Sequence, residues 1–213
     1  MKRHIVCYGD SNTHGYCADV HDSADGGNRF GENERWTRLL ERLLGEEYLV
    51  LEEGLGGRTT VFEDPLHEGM SALSVVYPIL MSHEPIDLLV IMLGTNDTKE
   101  RFSANPSCIG AGLERLIIKA KTVPAWKNGV PNILIIAPPH IHKEFYDPNM
   151  GEGCAEKSAA LAPIYETVCK RQGCAFLDAE GVAEFNNVDH MHLTRRGHAA
   201  LAARLADIIP TLL

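Results

Sequence analysis

Four short stretches carry side chains that could act together on an electrophilic carbonyl. They are Gly9-Asp10-Ser11-Asn12, the run Glu53-Gly54-Leu55-Gly56-Gly57-Arg58, Gly94-Thr95-Asn96-Asp97, and Asp189-His190-Met191-His192. A serine hydroxyl is a weak nucleophile until a neighbouring base takes its proton. An imidazole does this best when a carboxylate fixes its tautomer and stabilises the imidazolium that forms. Asp189 and His192 stand three residues apart, so one turn of chain can set the carboxylate against the ring. Acyl transfer also needs donors aimed at the developing oxyanion, each worth about 3–4 kcal/mol of barrier. Free backbone N–H groups in a glycine-rich turn and the Asn96 amide are of that type.

Such residues meet only if the chain brings distant segments together, and its patterning provides the means. Apolar runs at His4–Tyr8, Tyr48–Leu51, Ile86–Leu93, Ile133–Ala137 and Cys174–Leu177 lack polar alternation, as strands covered on both faces do. Between them lie helical stripes. One is Trp36, Leu39, Leu40, Leu43 and Leu44, ended by Gly45; a second is Ile109, Leu113, Leu116, Ile117 and Ala120. A third is Leu161, Tyr165, Val168 and Cys169, and the last is Leu201, Leu205, Ile208, Ile209 and Leu212, with Thr194 at the expected N-cap position. This βα alternation with right-handed crossovers predicts an α/β fold, a three-layer α/β/α sandwich on a five-stranded parallel sheet of flavodoxin-like type. Ligands bind such sheets beyond the carboxyl ends of the strands, where three of the four stretches fall.

Length and composition narrow the field further. The 213 residues are expected to form one domain, 1–213, with a long loop at about 138–153 that serves either as a lid or interface or as a tolerated insertion. A net charge of −9 argues against nucleic acid as the main partner. No run approaches the roughly 18 apolar residues of a membrane span, and the first apolar run is too short for a signal-peptide core. Six cysteines at scattered spacings, without CxxC, predict reduced thiols and a cytoplasmic location.

The four stretches together resemble the SGNH (GDSL-type) hydrolases, over the whole chain. Gly9-Asp10-Ser11 is similar to the nucleophile block, Gly54–Gly57 to the glycine block, Gly94-Thr95-Asn96-Asp97 to the GxND block, and Asp189 with His192 to the DxxH block. Glu52-Glu53-Gly54-Leu55, Arg58-Thr59-Thr60 and Ile91 through Thr98 look most like the compact bacterial arylesterase and acyltransferase group. The resemblance implies Ser11 as nucleophile, His192 as base and Asp189 as its orienting carboxylate. It implies an oxyanion hole from the Ser11 and Gly57 backbone N–H groups and the Asn96 amide, with Gly56 adjacent to the glycine position. Asn12 replaces the usual leucine after the serine, a change expected to alter polarity near the pocket mouth and leave the triad intact.

The expected activity is cleavage of short-chain acetyl or aryl esters through an acyl-enzyme, with water or another alcohol as acceptor. No cofactor is expected, and the partners are a small-molecule ester and a second copy of the chain in a homo-oligomer, without nucleic acid or membrane. Carbohydrate acetylesterase, lysophospholipase or thioesterase activity is the alternative within the family, and a non-catalytic binding module the alternative outside it. Other readings of single residues are simpler: Ser11 alone would be a helix N-cap, Asp10 and Asp97 turn residues, and Arg35, Trp36 and Phe102 packing. The glycines do not complete GxGxxG, and GxSxG is absent. His140-Ile141-His142 and His190-Met191-His192 come without HExxH or a Cys/His cluster, so no metal is expected and His190 is read as a neighbour of the site.

Overall fold

The backbone alternates strand and helix in a computed structural model that describes residues 2–213. In chain order the elements are β1 (Arg3–Gly9), α1 (Ser11–His14), α2 (Trp36–Leu44), β2 (Tyr48–Gly54), α3 (Ala72–Ser82), β3 (Leu88–Met92), α4 (Pro106–Lys121), β4 (Ile133–Ala137), α5 (Cys154–Ala159), α6 (Leu161–Gln172), β5 (Ala175–Asp178) and α7 (Arg195–Leu212). The five strands form one parallel sheet in the order β2-β1-β3-β4-β5. This is the flavodoxin-like order, in which the direction of winding reverses between β1 and β3.

Alternation along each strand divides the core into two layers. Ile5 and Cys7 of β1, with Leu88, Val90 and Met92 of β3, face Trp36 and Leu40 of α2 and Leu201, Leu205 and Ile209 of α7. Val6 and Tyr8, with Leu89 and Ile91, face Val76 of α3, Leu113 and Ile117 of α4 and Tyr165 of α6. Each of these aliphatic side chains contributes about 1.5–3 kcal/mol by leaving water, and both strand faces are covered, so the strands read as unbroken apolar runs.

The predicted helices form, and Thr194 caps α7 with its hydroxyl accepting from the Gly197 N–H at 2.8 Å. Two features differ from the sequence expectation. Helix α3 gives no amphipathic signal, because Ala72–Ser82 is apolar nearly all round and carries Pro78. Strand β2 runs three residues further, to Gly54, because parallel pairing with β1 continues through Gly9 and holds Glu52 and Glu53 extended. Among the described residues no helix is long and apolar enough to cross a membrane.

Candidate active site

The turn after β1 is built by Asp10, not by Ser11. The Asp10 carboxylate accepts the Asn12 N–H at 2.9 Å and caps α1, so Ser11 becomes the first helical residue with its hydroxyl uncommitted to capping. Burial pushes the Asp10 carboxyl up to about 6, against the hydrogen bond from Asn12 and the nearby His192 and Arg58. Helix α1 then lies directly on the end of β2. A Cβ at Gly54 would stand 2.2 Å from the His14 backbone nitrogen, so only glycine fits there.

The glycine stretch closes beneath the nucleophile. Gly57 has φ 88°, a left-handed conformation that favours glycine. Arg58 is buried under this turn, its guanidinium donating to the Gly9 and Glu53 carbonyls and lying 4.5 Å from the centre of the Tyr8 ring. Asn96 opens the 3₁₀ turn after β3 and donates to the Arg58 carbonyl at 3.2 Å. Asp97 accepts the Thr60 N–H and hydroxyl, tying the two turns together. Ser11, Gly57 and Asn96 accordingly line one cavity at the β1/β3 reversal. Gly56 is exposed and is not part of that lining, with the Ser11 Cβ 3.9 Å from where a side chain on it would begin.

The loop before α7 delivers the imidazole. His192 Nε2 lies 2.8 Å from Ser11 Oγ, and His192 Nδ1 lies 2.6 Å from Asp189 Oδ2. Both Ser11 and His192 are buried, 7% and 9% exposed. Burial alone would raise the Asp189 carboxyl, but hydrogen bonds from His192, Asn186 and the Met191 N–H outweigh it and hold it below the usual carboxylate range. The three residues the sequence singled out thus form one connected chain from hydroxyl to carboxylate, of the kind that activates a serine for acyl transfer.

Two supporting residues escaped the sequence reading. Asn186 donates to Asp189 Oδ1 at 2.9 Å, while its own Oδ1 accepts the Val188 and Asp189 N–H groups. The signal was present as an Asn three residues before the aspartate, the spacing of a side-chain-closed turn. Tyr16 packs its ring 4.6 Å from that of His192, and nothing in its spacing announces this. Asn12 corrects an expectation. It is 1% exposed and lies away from the pocket mouth, with Nδ2 donating to the Met191 carbonyl and Oδ1 accepting the Leu193 N–H.

The cavity holds about 420 Å³. Phe145, Tyr146, Asp147, Asn149 and Met150 line it from the long loop, together with His67, Lys99 and Arg101. Lys99 and Arg101 share the buried carboxylate of Asp64, each at 3.1 Å.

The chain also resembles known proteins. Residues 7–200 match the model of the GDSL-like lipase/acylhydrolase family. The chain is similar to the native aryl esterase of M. smegmatis, with 33% identity over 99% of this chain and 100% of that one, at a TM-score of 0.88. It is similar to Est24, a carbohydrate acetylesterase from Sinorhizobium meliloti, with 31% identity over 100% of both chains and a TM-score of 0.89. No curated protein sequence matches it.

Proposed function

The chain belongs to the GDSL-like lipase/acylhydrolase (SGNH) family of serine hydrolases, and from that premise we propose that it cleaves short-chain acetyl or aryl esters through an acyl-enzyme on Ser11. The observation that carries this reading is the unbroken relay from Ser11 Oγ through His192 to Asp189, at 2.8 and 2.6 Å. In the first step Ser11 Oγ attacks the ester carbonyl carbon while His192 Nε2 takes its proton. The carbonyl oxygen becomes an oxyanion, met by the Ser11 and Gly57 N–H groups and the Asn96 amide. Collapse breaks the bond to the alcohol oxygen, and the imidazolium returns its proton to the departing alcohol. The acyl group now sits on Ser11, and water, or a second alcohol, repeats the sequence in reverse. Asp189 stays ionised throughout and keeps the Nδ1–H tautomer in place.

Pocket chemistry supports a short acyl group. A cavity of about 420 Å³ has room for a short acyl or aryl group against Phe145, Tyr146, Met150 and Met191, with His67, Arg101, Asp147 and Asn149 among its polar lining. That polar lining favours a second reading, deacetylation of a sugar, since hydroxyl-rich alcohols find donors and acceptors there. Hydrolysis of an aryl acetate by wild type and by Ser11→Ala tests the main reading. Loss of at least about a thousandfold in kcat is expected, together with labelling of wild-type Ser11 by a serine-directed phosphonate. Retention of most activity in the variant would end the nucleophile assignment. A preference for long acyl thioesters over aryl acetates and acetylated sugars would end the short-chain reading.

A further inference from the structure

We propose that His142, Glu144 and His190 form a binding site for a divalent transition-metal ion of the zinc class, which clips the wall of the pocket to the loop carrying Asp189 and His192. Each of the two His-X-His strings contributes one ring. His142 Nδ1 and His190 Nδ1 lie 3.4 Å apart. Two imidazole nitrogens, each about 2.0–2.1 Å from one tetrahedral ion, must lie about 3.3–3.4 Å from each other. The observed separation meets that distance requirement.

The third donor is at hand. Ligand atoms of His142, Glu144 and His190 all fall within 4.8 Å of one another. Glu144 is exposed, so staggered rotamers are open to it and a modest rotation closes the remaining distance. Two imidazoles and one carboxylate, with a fourth position for water, suit zinc and its neighbours and not magnesium or calcium, which prefer oxygen.

The two histidines are also fixed relative to one another by backbone. The His142 N–H donates to the His190 carbonyl at 3.1 Å. His190 has φ 63°, a left-handed conformation few side chains adopt, and such positions cluster at ligand clamps. A simple His–His hydrogen bond would also bring the two nitrogens close, but it assigns no role to Glu144. His140 faces Glu180 instead, its ring Nδ1 3.7 Å from the Glu180 carboxylate. An ion has a route in, because His142 also lines a separate cavity of about 300 Å³.

The placement gives the site a consequence. Residues 142–144 lead directly into Phe145–Met150, which wall the pocket, and His190 sits between Asp189 and His192. An ion bound across them adds a second tie between these loops beside the bond from the His142 N–H to the His190 carbonyl.

Calorimetric titration of the untagged full chain with Zn²⁺, and with Mg²⁺ as control, tests the proposal. One equivalent of Zn²⁺ and no Mg²⁺ should bind, and the melting temperature should rise with Zn²⁺ alone. Loss of a ligand should weaken binding at least about tenfold in His142→Ala, in Glu144→Gln and in His190→Asn, the last chosen because Asn tolerates the left-handed backbone. Glu144 is exposed, so its variant keeps the test informative if a histidine variant fails to fold. Hydrogen exchange across 142–150 should slow when Zn²⁺ is added to wild type. Absence of stoichiometric Zn²⁺ binding, or binding undiminished in these variants, overturns the site. Binding without slower exchange overturns the clip. The titration needs no turnover, so its result stands apart from that of the esterase tests.

Discussion

Asn12 holds the backbone on both sides of His192. Its Nδ2 donates to the Met191 carbonyl at 3.2 Å, its Oδ1 accepts the Leu193 N–H at 2.9 Å, and Asn12 directly follows Ser11. One buried amide therefore sets the distance between the hydroxyl and the imidazole across 181 residues of chain.

Asn12→Leu restores the residue usual in the family and removes both bonds at similar volume. We expect kcat to fall about 10- to 100-fold, because small misplacements of reacting groups are costly, while KM changes little. Stability should fall by about 1–3 kcal/mol for each buried backbone group left unpaired. Steady-state kinetics and denaturant unfolding check both effects. A KM effect with kcat untouched would count against a positioning role.

Asp189→Asn should lower kcat by about 10³- to 10⁴-fold, since an amide permits the wrong imidazole tautomer. Asn186→Ala should do less, about tenfold, because Asp189 keeps the Met191 and His192 N–H donors, at 3.3 Å each. Parallel kcat measurements decide the order, and equal losses would show that Asn186 does more than orient the carboxylate.

Gly54→Ala should destabilise the fold by about 1–3 kcal/mol, the usual cost of forcing extra volume into a packed site. The new methyl would press on the His14 nitrogen and Thr13 backbone, not on a side chain that could swing away. Helix α1 carries Ser11, so kcat should fall as well, even at temperatures where the variant remains folded. Calorimetric melting with kinetics at low temperature tests this, and a normal melting point would refute the contact.

His198 should make the fold acid-sensitive. Burial lowers its imidazole to about 3, with the charges of His192 and Arg35 adding to the effect, while its Nδ1 accepts the Trp36 N–H at 3.2 Å. The unfolded chain binds a proton there below about pH 6.5 and the folded chain does not. Its contribution is therefore complete above that pH and is lost as pH falls toward 3. The gap in unfolding free energy between wild type and His198→Asn should narrow by up to ~1.4 kcal/mol per pH unit between about pH 6 and 4.5. A gap independent of pH would contradict a neutral buried ring.

The sequence by itself determined the parallel α/β sheet and the candidate triad. Strand and helix periodicities are local; Ser11 and Asn96 follow the ends of β1 and β3, Asp189 and His192 lie in the loop before α7, and all four line the cavity. Helix α3 was hidden because apolar residues nearly all round it erase the amphipathic stripe by which a helix is recognised, although only Ala72, Val76 and Leu80 are buried. Only the tertiary structure decided that Asp10 and not Ser11 caps α1, and that Asn12 points inward at the His192 loop instead of toward the pocket mouth. It alone brought His142 against His190, 48 residues apart in the chain. Hydrogen bonds and shared ligands between distant loops depend on how crossovers close, and no local pattern of residue types encodes that closure.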